Sequence, residues 1–280
     1  MRRLLLLPVV VLLLTLPCAA DEGMWLFNKF PRAAVKKAYG FTVTDQFLNR
    51  LQLSSVRFNN GGSGSFVSPN GLLFTNHHVG ADCIYQVATK QNDYMKNGFA
   101  AASPAGEKPC PNLEVNVLLK IETVTGKIKA GTTDATPPAD AARMRRSNTS
   151  ALEKECSASG NRCQVVTLYS GGQYDLYEYK KYTDVRLVFA PEEAIAAFGG
   201  DPDNFTFPRY CLDFTFFRAY ENGKPVQVKN FLPWSKTGAT NGELTFTSGH
   251  PGSTDRLATY SDLEFQRDVV MPFSLESVSY

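Results

Sequence analysis

From Val56 onward the chain is cut into strand-length apolar runs, each fenced by Gly, Asn, Ser or Pro. That punctuation constrains the fold more than any other feature. Many short runs bounded by turn formers pair as antiparallel strands and close into barrels or sandwiches. The clearest unit is Ser65-Phe66-Val67-Ser68, then Pro69-Asn70-Gly71, then Leu72-Leu73-Phe74-Thr75, which reads as a hairpin. Further strands are expected over Val115–Ile121, Gln164–Tyr169, Tyr174–Tyr182, Val185–Phe189, Leu212–Tyr220 and Leu244–Ser248. Tyr174, Leu176 and Tyr179 are interleaved with charged residues, the pattern of a partly exposed sheet. Helices are expected over Pro31–Tyr39, Thr44–Leu53 and residues 139–156, with Thr44 as an N-cap and Asp45 in the first turn. The fold class is therefore mainly β, a barrel with decorated loops.

The first twenty residues stand apart. Arg2 and Arg3 precede an apolar run from Leu4 to Leu16, and small residues end at Ala20. This is the pattern of a secretory signal peptide over residues 1–20, with Asp21 as the mature start. A membrane anchor fits less well, because the run is short and broken by Pro8. Pro17 sits where a lipoprotein signal wants a small residue. No later segment is expected to span a membrane. Removing the leader removes two of 29 basic residues and leaves them equal to the 27 acidic ones. A nucleic-acid binder relying on bulk positive charge is thereby disfavoured.

Export, periplasmic or beyond, implies an oxidising compartment. Residues 157–161, Ser-Ala-Ser-Gly-Asn, read as a turn between Cys156 and Cys163, so that pair is expected to form a disulfide. Cys83 and Cys110 are expected as the second, leaving Cys211 buried within a strand. No CxxC spacing supports zinc, and neither metal nor cofactor is expected.

Two segments concentrate chemistry. The first runs from Gly61 to Val79 and ends Thr75-Asn76-His77-His78-Val79, holding two of the three histidines. Read as a strand end, the two imidazoles point to opposite faces and do not share a metal. One of them is placed to act as a general base. The bland reading is two ordinary histidines. The second segment runs Phe198-Gly199-Gly200-Asp201-Pro202-Asp203-Asn204-Phe205 and on through Pro208-Arg209 to Asp213-Phe214. Asp201 and Asp203 suit turn chemistry. Asp213 lies among Cys211, Leu212, Phe214, Phe216 and Phe217, where a carboxylate needs a partner. An ion pair with Arg209 or Arg218 would satisfy it, and so would an imidazole.

The hairpin leading into Thr-x-x-His resembles the histidine region of chymotrypsin-fold serine peptidases. The resemblance to the bacterial dipeptidyl-peptidase 7 / dipeptidyl-peptidase 11 family of serine exopeptidases is closer. It covers Asp21-Glu22-Gly23-Met24-Trp25, the Thr75–His78 block, the Gly199–Phe205 segment with Asp213-Phe214, and Gly249-His250-Pro251-Gly252-Ser253-Thr254 followed by Arg256. It implies a chymotrypsin-like double β-barrel, of which this chain supplies the first barrel part and the start of an inserted α-helical domain. His78 would be the general base, His77 a structural neighbour and Asp213 the acid that orients His78. Asn204 would hold the substrate's free α-amino group, with Phe205 as a wall where the family carries Trp. Val79 stands where members often carry Cys. Recognition of the charged amine measures two residues to the scissile bond and rejects blocked peptides.

The nucleophile should follow Asp213 in the order His, Asp, Ser. Ser253 follows Pro251 and Gly252 and does not make GxSxG, and the family's Gly-Asn-Ser-Gly-Ser occurs nowhere in the chain. The organisation expected is a signal peptide at 1–20, the N-terminal part of a catalytic domain at 21–265, and the opening of a helical insert at 266–280. The fragment alone is then inactive. The expected activity of the intact protein is release of dipeptides from peptides with a free N-terminus, and homodimerisation is implied by the resemblance. A trypsin-like secreted endopeptidase and a non-catalytic secreted binding module are the rival readings.

Overall fold

A computed structural model describes residues 24–200, 209–252 and 258–278. The chain divides into two compact units, through Leu48 and from Asn49. In the first, α1 (Arg32–Tyr39) ends on Gly40 in the left-handed conformation at φ 69°. The second helix, α2 (Asp45–Ser54), opens in this unit. The Thr44 hydroxyl accepts from the Phe47 N–H at 3.1 Å, as expected of the N-cap. Arg32 pairs with Asp45, and Phe41 meets Phe47 edge-on at 5.3 Å.

The second unit is built on one antiparallel sheet of eleven strands: β1 (Ser55–Phe58), β2 (Ser63–Phe66), β3 (Leu72–Thr75), β4 (Phe99–Ala100), β5 (Lys108–Pro109), β6 (Val115–Thr123), β7 (Arg162–Leu168), β8 (Gln173–Tyr182), β9 (Asp184–Ala190), β10 (Thr215–Glu221) and β11 (Lys224–Pro225). The main path runs β4-β9-β10-β3-β2-β1-β6-β8-β7. Only Thr183 separates β8 from β9, so one bent stretch of chain pairs at both ends of the inner path and closes it. Lys180 of β8 meets Glu221 of β10 at 3.3 Å across that closure.

Side chains from strands that are not neighbours meet inside. Phe58 of β1 lies 5.9 Å from Phe217 of β10, and Phe66 of β2 lies 6.2 Å from Tyr182 of β8. Val56, Leu73, Val115 and Leu187 complete a buried core. The β2–β3 hairpin turns through Gly71 at φ 72°, where a Cβ would lie 2.7 Å from the Val226 side chain. Only glycine meets both conditions at no cost.

Outside the sheet lie α3 (His77–Val87), α4 (Tyr94–Asn97), α5 (Thr125–Ile128), α6 (Pro138–Ser157) and α7 (Glu193–Ala196). Cys156 at the end of α6 is joined to Cys163 in β7, and Cys83 in α3 to Cys110. A reciprocal capping box between Thr259 and Asp262 opens α8 (Tyr260–Phe265). A π-helical turn at Gln266–Val270 continues it into α9 (Met271–Val278).

Three expectations need correction. Leu244–Ser248 is not a strand. Both edges of β1 are taken by β2 and β6, so this segment attaches by side chains instead. The Ser248 hydroxyl lies 2.8 Å from that of Ser55, and the His250 N–H donates to the Ser63 hydroxyl at 2.7 Å. The strand expected from Leu212 begins at Thr215, because Phe214 N–H bonds back to Leu212 O at 2.8 Å in a tight turn. Cys211 therefore lies outside β10, half-buried and unpaired.

Candidate active site

Thr75 ends β3, buried between Gly64 of β2 and Thr215 of β10. Its hydroxyl donates to the Ser63 carbonyl at 2.7 Å. Asn76 is extended (φ −73°, ψ 153°), and His77 opens α3. The histidines thus stand in the first turn of a helix, not at a strand end. The imidazoles still diverge, because consecutive helical positions are about 100° apart. Gly80 lets α3 lie on β10, since a Cβ there would come within 2.8 Å of Phe217 and 2.9 Å of Thr215.

His77 is buried. Burial lowers its pKa, against the raising effects of the Asp213 charge, the Pro191 carbonyl and Glu193. Its Nε2 has no partner among the described residues. His78 faces outward with 73% of its side chain exposed. Its Nδ1 lies 2.8 Å from Asp213 Oδ2, and its N–H donates to Asp213 Oδ1 at 3.1 Å.

Asp213 arrives from the turn before β10. Partial burial pushes its carboxyl pKa up, but this is outweighed by hydrogen bonds from the His78 N–H and ring, the His78 charge, and the His77 N–H. The net shift is downward, which holds the carboxylate ionised at the N-terminus of α3. Arg218, one alternative partner, instead donates to Glu107 at 2.9 Å. A carboxylate in contact with one nitrogen of an exposed imidazole fixes the tautomer and directs the other nitrogen to solvent, the arrangement of a general base.

Asn204 and Phe205 lie outside the described residues, as do Asp201, Asp203, Ser253, Arg256 and the leader. Asn76 and the helix behind it were missed from sequence. The signal was there: Asn is a strong N-cap, and Val79, Cys83, Ile84 and Val87 then recur at helical spacing.

A family model described as Peptidase S46 matches residues 20–279. The chain is 34% identical over 259 residues to dipeptidyl-peptidase 7 of Porphyromonas gingivalis, covering 86% of this chain and 36% of that protein. It is 33% identical over 289 residues to the Asp/Glu-specific dipeptidyl-peptidase of the same organism, covering 94% and 40%. Porphyromonas endodontalis DPP11 in complex with dipeptide Arg-Glu superposes with a TM-score of 0.63 at 34% identity, over 76% of this chain and 33% of that one. The antiparallel sheet with its surrounding helices is thus the chymotrypsin-like fold of that group. The chain spans between a third and two-fifths of the length of these relatives. Among the described residues no helix is long and apolar enough to cross a membrane.

Proposed function

The chain belongs to the peptidase S46 family, and from that membership we propose that it carries the general base and orienting acid of a serine-type dipeptidyl-peptidase. The full-length enzyme releases dipeptides from the free N-terminus of peptides through an acyl-enzyme. The observation that carries this reading is the 2.8 Å contact between Asp213 Oδ2 and His78 Nδ1, with the imidazole open to solvent.

In this reading His78 Nε2 takes the proton of a serine supplied by sequence beyond the 280 residues. Asp213 stabilises the imidazolium that forms, and His78 then protonates the leaving amine. These steps draw on side chains alone. Asn204 grips the substrate's α-amine and Phe205 walls the subsite, roles supported by the resemblance of their segment to the family. The basic and apolar leader supports export to the periplasm or beyond, and the resemblance supports a homodimer.

The full-length protein should cleave a dipeptidyl reporter with a free N-terminus and reject its N-acetylated form by ~10⁴-fold, because a site built to pair a polar group leaves that group unpaired when the partner is lost. Equal cleavage of both forms would replace the exopeptidase reading with an endopeptidase. A fluorophosphonate probe should label the full-length protein and not the 280-residue chain.

A further inference from the structure

We propose that Asn76 is a positioning residue of the His78–Asp213 pair, its side-chain amide fixing the Asp213 carboxylate against the imidazole. The inference rests on the assignment of His78 as base and Asp213 as its partner.

Asn at a helix N-cap ordinarily turns its side chain onto the N–H groups of its own first turn. Asn76 makes no such bond. Its Nδ2 instead crosses to Asp213, donating to the backbone carbonyl at 3.1 Å and to Oδ2 at 3.2 Å. An amide nitrogen carries two hydrogens, so both bonds form at once. Both acceptors are oxygens, so only the nitrogen end of the amide fits there. The capping duty Asn76 has given up passes to Asp213, which accepts from the His78 N–H. The acid caps the helix that carries the base, and Asn76 holds the acid.

Asp213 needs holding. It precedes β10 by two residues, so no ladder bond fixes its backbone. The torsion that aims a carboxylate is broad and has no deep well. A small rotation would carry Oδ2 away from His78 Nδ1. Asn76 restrains the backbone through the carbonyl and the rotation through Oδ2, the oxygen that also faces Nδ1. Among the described residues, Glu193 also acts on the buried His77. Asn76 itself is exposed, so its replacement removes little packing.

The test compares Asn76→Ala, Asn76→Asp and, as reference, His78→Ala in the full-length protein with a dipeptidyl reporter. Asn76→Ala should lower kcat about 10- to 100-fold with KM within about threefold, as expected when only transition-state geometry is lost. Asn76→Asp sets a second carboxylate beside the pair and should move the acidic limb of kcat/KM to higher pH by about one unit. If His78→Ala is inactive while both Asn76 variants keep the wild-type kcat and acidic limb, the proposal is wrong and the base assignment stands. If both variants only lower the melting temperature, with no movement of the limb, Asn76 is structural and the proposal is equally overturned. If His78→Ala retains turnover, the base assignment itself fails. Titration of 13C-labelled histidines then decides the geometric claim without turnover: a His78 midpoint moved upward in Asn76→Asp supports it, and an unmoved one rejects it.

Discussion

Two carboxylates lie beside β10, Asp213 before its first residue and Glu107 against its second half, and they are treated in opposite ways. At the far end Glu107 is enclosed, with 2% of its side chain exposed. Its Oε1 accepts from Arg218 Nε at 2.9 Å and its Oε2 from the Tyr220 hydroxyl at 2.8 Å. Arg218 spends its remaining reach on Asn70, at 2.9 Å to the carbonyl and 3.0 Å to the side chain. Arg186 stacks over the Tyr220 ring at 3.8 Å. At the near end Asp213 is covered to 16% exposure, but its partner His78 is 73% exposed. The Glu107 pair is enclosed and uses both carboxylate oxygens. The Asp213 pair leaves its imidazole open to solvent.

Breaking the open end should cost the most, and the cost should fall on activity. His78→Ala in the full-length protein should lower kcat by ~10⁴-fold, and Asp213→Asn by a similar factor through loss of the correct tautomer. His78→Ala should leave stability within about 0.5 kcal/mol in urea titrations, as for other exposed positions. Asp213→Asn removes charge from the N-terminus of α3 and should cost about 1 kcal/mol more. A stability loss matching the activity loss would erase the contrast between the two ends.

Breaking the closed end should do the reverse. Glu107→Ala leaves the Arg218 guanidinium buried without its anion, and removing one partner of a buried pair costs about 3–5 kcal/mol. The midpoint of urea unfolding should fall accordingly, while the folded fraction keeps its kcat. A loss of kcat at full folding would show that the closed end also serves the chemistry.

The contrast shows which parts of the molecule were legible beforehand. The hairpin around Gly71, the Thr44 cap and the long strand ending at Tyr182 follow from local pattern, because turn chemistry, capping and alternation act within a few residues. The apolar run before His77 reads as a strand and hides the helix that follows it, although the spacing of Val79, Cys83, Ile84 and Val87 is helical. Leu244–Ser248 has strand-like residues, yet a strand also needs an unoccupied edge, and the edges of β1 are filled by segments far away in sequence. Local pattern leaves the partner of Asp213 open between arginine and imidazole for the same reason. One local clue lies in the sequence: Arg218 stands five positions after Asp213, an odd offset, which in an extended chain turns the two to opposite faces.

A third arrangement, neither saturated nor open, sharpens the comparison. Both ring nitrogens of His250 are enclosed without a partner among the described residues, 5.9 Å from the Tyr179 ring. Burial first, and the charge of Arg57 second, lower its pKa to about 4. In the unfolded chain the same group takes a proton near pH 6.5. Between these values the unfolded state binds the extra proton, so stability rises with pH across that window and is lost as pH falls through it. The loss should be on the order of 3 kcal/mol at most by pH 4, with no further contribution from this group below that. His77, also lowered by burial, adds a slope of the same sign. Urea titrations of wild type and His250→Gln between pH 4 and 7 separate the two. The variant should show a shallower slope, reduced by up to one proton, while keeping the part that His77 supplies. Identical slopes would mean that His250 gains its proton as readily folded as unfolded, despite its enclosure.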